Sequence, residues 1–68
     1  MTSVARVTEI SALSEKSFED AVKVGISRAG ETLRGLRSAW IKEQEVQLSE
    51  SGDITGYKVN MLVTFVLE

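Results

Sequence analysis

The 68-residue chain contains no histidine and no cysteine. Without imidazole or thiolate there is no Ser/His/Asp or Cys/His relay, no His- or Cys-ligated zinc, no thiol redox chemistry and no disulfide staple. Most enzyme classes are excluded with them, and the chain is read as a non-enzyme. Long apolar runs are also missing: the longest spans a few residues, against the roughly 20 that cross a bilayer. Clustered positive charge is the third absence. Eight basic residues are scattered among 10 acidic ones, for a net charge of -2 and a pI near 5.1. Nucleic acid is therefore not the expected partner, since phosphate binding draws its affinity from massed Lys and Arg. The stretch Met1 to Arg6 lacks the basic and apolar segments of a signal peptide, so the cytoplasm is the expected location. The absence of cysteine agrees with it.

What remains is ordinary for one folded domain, residues 1–68, with 43% apolar and 26% charged residues. Its size is the difficulty. A domain of about 60 residues buries only roughly 60% of its unfolded surface and is marginal alone. With metal and disulfide staples excluded, self-association is the remaining common remedy.

Val4 to Ile10 is rich in β-branched residues and mixes apolar with polar positions, as a half-buried strand does. Ser11 to Ser14 breaks that pattern. Ser14 is a fitting N-cap, with Glu15 in the first turn and Leu13 and Phe18 placed as a hydrophobic staple. The apolar stripe Phe18, Ala21, Val22, Gly25, Ile26, Ala29, Leu33, Leu36 predicts a helix of about five turns. Gly25 on that stripe implies close approach of a neighbouring backbone, and Gly35 with Arg34 and Arg37 is a natural stop. Ala39 to Leu48 reads as a strand with Trp40, Lys42, Gln44, Val46 and Leu48 on one side and Ile41, Glu43, Glu45 and Gln47 on the other. Ser49 to Asp53 is a turn, with Gly52 suited to positive φ. Ile54 to Leu67 alternates strongly, with Tyr57, Val59, Met61, Val63, Phe65 and Leu67 on the face meant for the helix.

The fold class is α+β: a β-α-β-β chain whose three-stranded antiparallel sheet wraps one helix, the last strand in the centre. The outer sheet face keeps Leu62 and Val66, joined by Trp40 and Leu48. Left bare, it is an apolar patch, so another subunit is expected to cover it.

Trp40, the one tryptophan, carries two readings. It buries area as packing or interface, or it offers a flat π face to a planar ligand with Lys58 or Gln44 for polar contacts. Glu43, Glu45, Glu50 and Asp53 supply the oxygens a calcium ion needs, but their spacing matches no calcium loop and alternate acids on a strand are usually a solvated face. Paired-carboxylate hydrolysis needs a cleft that so short a chain hardly makes. Gly30 and Gly35 do not follow a strand, so there is no phosphate-cradling loop.

The order of Val-Thr-Glu-Ile-Ser, Ser-Phe-Glu-Asp-Ala, Arg28-Ala29, Thr32-Leu33-Arg34, Trp40, Tyr57-Lys58-Val59 and Val63-Thr64-Phe65-Val66-Leu67-Glu68 resembles the dodecins over nearly the whole chain. The resemblance implies a hollow homododecamer of strand-helix-strand-strand subunits that binds flavins: FMN, riboflavin or FAD. It implies that Trp40 stacks on the isoalloxazine ring, paired with a second Trp and flavin across a twofold axis. Glu45 then contacts the ribityl region. Lys58 stands where the family has a Gln against the pyrimidine edge. The amide both donates and accepts, whereas an ammonium only donates. Gln47 and Val66 replace arginines that serve phosphate-bearing ligands in many bacterial members. About two extra residues precede Trp40.

The flavin set so implied is Trp40, Glu45, Gln47 and Lys58, in a protein that stores or sequesters flavin. The alternative is a dodecin-like shell that has lost flavin and binds another small ligand or calcium, or acts as a scaffold.

Overall fold

The computed structural model describes residues 3–67, which leaves Met1, Thr2 and Glu68 of the expected domain outside the described residues. The chain runs β1 (Ala5–Ser14), α1 (Phe18–Thr32), β2 (Leu36–Leu48), β3 (Ile54–Val66). The sheet order is β1-β3-β2, with β3 central and antiparallel to both neighbours. This is the expected fold.

Register determines what the helix covers. Thr8, Ile10 and Ala12 of β1 lie opposite Val63, Met61 and Val59 of β3, so all six share the face packed on α1. Val59 and Met61 are fully buried with Ala21 of the helix, and Ile10, Ala12, Phe18, Val22, Ala39 and Ile41 pack around them. Phe18 meets Tyr57 edge-on, ring centroids 5.2 Å apart, a favoured aromatic geometry. The alternation expected of the last strand is thus realised at Val59, Met61 and Val63.

The core is thin and the molecule long. Its extents are 52 × 20 × 14 Å. The radius of gyration is 14.0 Å, where a compact chain of this length has about 11 Å. It exposes 5219 Å², against roughly 4,200 Å² for a folded monomer of its mass.

Four local expectations are corrected. The first strand continues to Ser14, because β3 pairs residue by residue as far as Ser14↔Tyr57 and tertiary pairing outweighs the weak strand propensity of Ser11 to Ser14. Ser14 is not the N-cap. Its buried hydroxyl donates to Asp20 Oδ2 at 2.6 Å and accepts from the Lys16 N–H, while Ser17 Oγ accepts from the Asp20 N–H and caps the helix. Leu13 lies on the outer sheet face and is exposed, so the Leu13–Phe18 staple does not form. At the other end the helix closes at Thr32, the Leu33 N–H bonding to Ala29 O, and Leu36 belongs to β2. Gly35 does not end the helix; at φ +74 it leads into β2, with its carbonyl accepting from Val66 N–H. A Cβ there would stand 3.0 Å from Val66 O.

Gly25 is a point of close approach as expected, but its neighbours are side chains rather than the expected backbone. A Cβ at this site would meet Met61 Cε at 2.6 Å and Ala12 Cβ at 3.0 Å, so the missing side chain lets α1 sit on β1 and β3. Gly25→Val should destabilise the fold by ~1–3 kcal/mol through overpacking, read as a lower thermal midpoint by circular dichroism. An unchanged midpoint would show that the contact has slack.

Candidate functional site

The outer face of the sheet, turned away from α1, carries the candidate residues, and a β-bulge puts them there. Strict alternation sets Trp40 opposite to Glu43, Glu45 and Gln47. In the structure Ile41 faces Met61 and Glu43 faces Asn60, two residues of advance on β2 for one on β3. Lys42 is the extra residue. Counting past it, Trp40 (opposite Leu62), Glu43 (Asn60), Glu45 (Lys58) and Gln47 (Gly56) all fall on the same face, as two residues opposing one in a bulge require. The side assignment made from sequence is therefore corrected: the site residues share a face, while Ile41 and Gln44 belong with Met61 and Val59.

Polar pairs cross that face in a belt. Lys42 Nζ stands 3.5 Å from Glu9 Oε2, reaching from β2 over β3 to β1. Asn60 Nδ2 donates to Glu43 Oε1 at 3.0 Å. Lys58 Nζ lies 3.8 Å from Glu45 Oε1. Such exposed pairs contribute about 0–1 kcal/mol each; they order the surface more than they hold it together. Gly56, beside Gln47 and Leu13, is buried under their side chains.

Of the four sequence-predicted residues, Glu45 and Lys58 are in contact and Gln47 occupies the next outward position of β2. Trp40 is set apart. Its partner Leu62 is four residues from Lys58 on β3, roughly 13 Å at strand rise, and the Glu43–Asn60 pair lies between. Trp40 is 69% exposed. Three hollows of the chain, of about 680, 660 and 160 Å³, border the helix or its junction with β2, and Trp40 lines none of them. A ligand stacked on Trp40 has one solid surface from this chain and needs a second from elsewhere. Sequence reading missed Glu9, Lys42 and Asn60 as site surroundings and took Glu43 only as a calcium candidate; the signal was cross-strand register, which becomes readable only once the bulge is placed.

The calcium alternative finds no ready cage. Among the described residues no three acidic, His or Cys side chains converge. Glu43 and Glu45 are engaged with Asn60 and Lys58. Asp53 braces the β2–β3 turn, its Oδ2 accepting from Ser51 Oγ and its N–H donating to Ser49 Oγ.

The dodecin family model matches residues 4–68. Among solved structures, a dodecin from Streptomyces davaonensis is 34% identical with a TM-score of 0.92, over 100% of this chain and 98% of that one. A Thermus thermophilus dodecin, solved as an arginine-to-alanine variant, is 33% identical with a TM-score of 0.90, over 98% of each chain. The calcium dodecin of Mycobacterium tuberculosis, described as a calcium-chelating antigen with a calcium-binding site, is 29% identical with a TM-score of 0.83, over 97% and 93%. No curated protein matches the chain.

Because Trp40 is the sole tryptophan, its surroundings can be read without labelling. Acrylamide should quench its fluorescence nearly as efficiently as that of a free indole in dilute, dissociated protein, and less as copies assemble over the face. Equal quenching in both states would show that the face stays bare.

Proposed function

The chain belongs to the dodecin family, and on that premise we propose that it is a flavin-binding homododecamer, a cytoplasmic storage or sequestering protein formed by residues 1–68 as one unit. Trp40 is the stacking platform. Glu45 and Gln47 face the polar tail, and Lys58 faces the pyrimidine edge of FMN, riboflavin or FAD. No bond is made or broken, in keeping with a chain that has no imidazole or thiolate. The observation that carries the reading is the bulge at Lys42, because it brings Glu45 and Gln47 of β2 to the face that holds Lys58 and the exposed Trp40.

An open indole on a flat sheet is half a site. A second copy laid face to face supplies the other half, and planar ligand stacked between two indoles is desolvated on both sides, which strengthens aromatic contact. Close contact with indole also quenches excited flavin by electron transfer, which suits storage without photochemistry. Lys58 contributes only donors and is already tied to Glu45, so it reads the pyrimidine edge less fully than an amide does.

The second reading is a shell that holds another small ligand or calcium, or serves as a scaffold. It is favoured by the Lys58–Glu45 pair, which occupies the position of the family's glutamine, and by the calcium dodecin among the relatives. Calcium ligands would have to come from more than one copy, given that no cage of three acids exists among the described residues.

Titration of apo-protein with riboflavin or FMN separates the two. Flavin fluorescence should be quenched at micromolar protein. Trp40→Ala should weaken binding by about 1–3 kcal/mol, roughly 5- to 150-fold, the range for stacking on an aromatic side chain, with the oligomer preserved. Lys58→Gln should tighten it. Absence of quenching, with calcium instead raising the thermal midpoint as a ligand of the native state must, would replace the first reading by the second.

A further inference from the structure

Asn60 stands on the outer face of β3 between Leu62, which lies opposite Trp40, and Lys58, which lies opposite Glu45. Successive outward positions of a strand are about 7 Å apart, so Asn60 is one step from the row of the indole and Lys58 two.

Glu43 faces Asn60 across the strands, and Asn60 Nδ2 donates to Glu43 Oε1 at 3.0 Å. That bond orients the amide. An ionised carboxylate only accepts, so the NH2 end must face Glu43 and the carbonyl end is left over. Among the described residues nothing donates to Asn60 Oδ1, although the side chain is half-buried on the sheet. The charged groups around it are already matched, Lys42 with Glu9 and Lys58 with Glu45. Asn60 Oδ1 is therefore a neutral acceptor, held from behind and unused, within a belt of ion pairs.

Such an acceptor suits an imide edge, a ring N–H flanked by two carbonyls. That edge calls for an acceptor at its middle and donors at its sides. Lys58 supplies donors and cannot accept. Glu43 and Glu45 can accept, but a carboxylate placed against the N–H also confronts both flanking oxygens, and negative charge beside them is unfavourable. An amide oxygen accepts without a full charge.

We propose that Asn60 is a specificity-determining residue of the Trp40 face. Its Oδ1 accepts from the imide N–H of a planar ligand stacked on the indole, Lys58 donates to a flanking carbonyl, and Glu43 positions the amide. The ligand class narrows to flat heteroaromatics with an unsubstituted imide, of which the flavin ring is one. The inference rests on the flavin reading and divides between two side chains a task that one amide performs alone.

Lumiflavin and 3-methyllumiflavin test it, since they differ only at the imide nitrogen and carry no sugar or phosphate tail. Titrations followed by quenching of ligand fluorescence should show wild-type protein binding lumiflavin tighter by about fivefold or more, the worth of one hydrogen bond. Asn60→Leu keeps the shape and removes the acceptor, and should bring the two affinities together. A purely structural role for Asn60 would weaken both ligands alike and leave their ratio unchanged; a purely steric one would preserve the ratio in Asn60→Leu. Far-UV circular dichroism and native mass spectrometry check fold and assembly, and Asn60→Val, a good strand former, replaces the leucine variant if either is disturbed. Equal affinities in wild type, a ratio that survives substitution, or loss of both ligands in both variants overturns the proposal and leaves the flavin reading standing. If wild-type protein at micromolar concentration quenches neither ligand, the flavin reading itself fails and this inference falls with it.

Discussion

One helix can cover only one face of a three-stranded sheet, and the rest of this structure follows from that limit. The central strand β3 carries the contact: Val59, Met61 and Val63 project towards α1 and are essentially removed from water. Every other element is positioned relative to them. β1 and β2 pair on either side of β3, and α1 approaches closely enough to bury Met61 because Gly25 leaves it room. The opposite face has no such cover. It holds Trp40 and a set of ion and hydrogen-bonded pairs instead of a second core. A surface of mixed character, with polar groups already paired among themselves and an aromatic ring left over, is suited to receiving something flat.

Much of this was legible in the residues. The period of the last strand and the stripe of the helix gave the core, since burial demands the period that sequence displays. The boundaries were less legible, for reasons that are local and physical. Ser14 and Ser17 are both acceptable caps; which one serves depends on whether β1 still pairs at Ser14, a tertiary fact. Gly35 looked like a helix stop, yet its positive φ serves the passage into β2 beside Val66. Neither choice can be made from spacing, because each residue suits both positions.

The candidate site shows the same limit more sharply. Alternation along β2 fails at Lys42, and one miscounted residue exchanges the faces of everything beyond it. The four residues implied by resemblance thus lie on one surface, although counting had distributed them over two. Only the pairing of Glu43 with Asn60 and of Ile41 with Met61 restores them to one surface. The bulge also turns Lys42 outward to Glu9, so the irregularity that re-aims the strand also contributes a charge to the belt.

The slenderness of the core carries a consequence for the cell. With Met61, Val59 and Val63 as the largest side chains fully withdrawn from water among the described residues, a single copy has little internal cohesion of its own, and in the assembly proposed above its stability is set by mass action between copies. Under that proposal concentration acts as a threshold: below it each chain stands alone with its thin core, and above it the chains are held in the assembly.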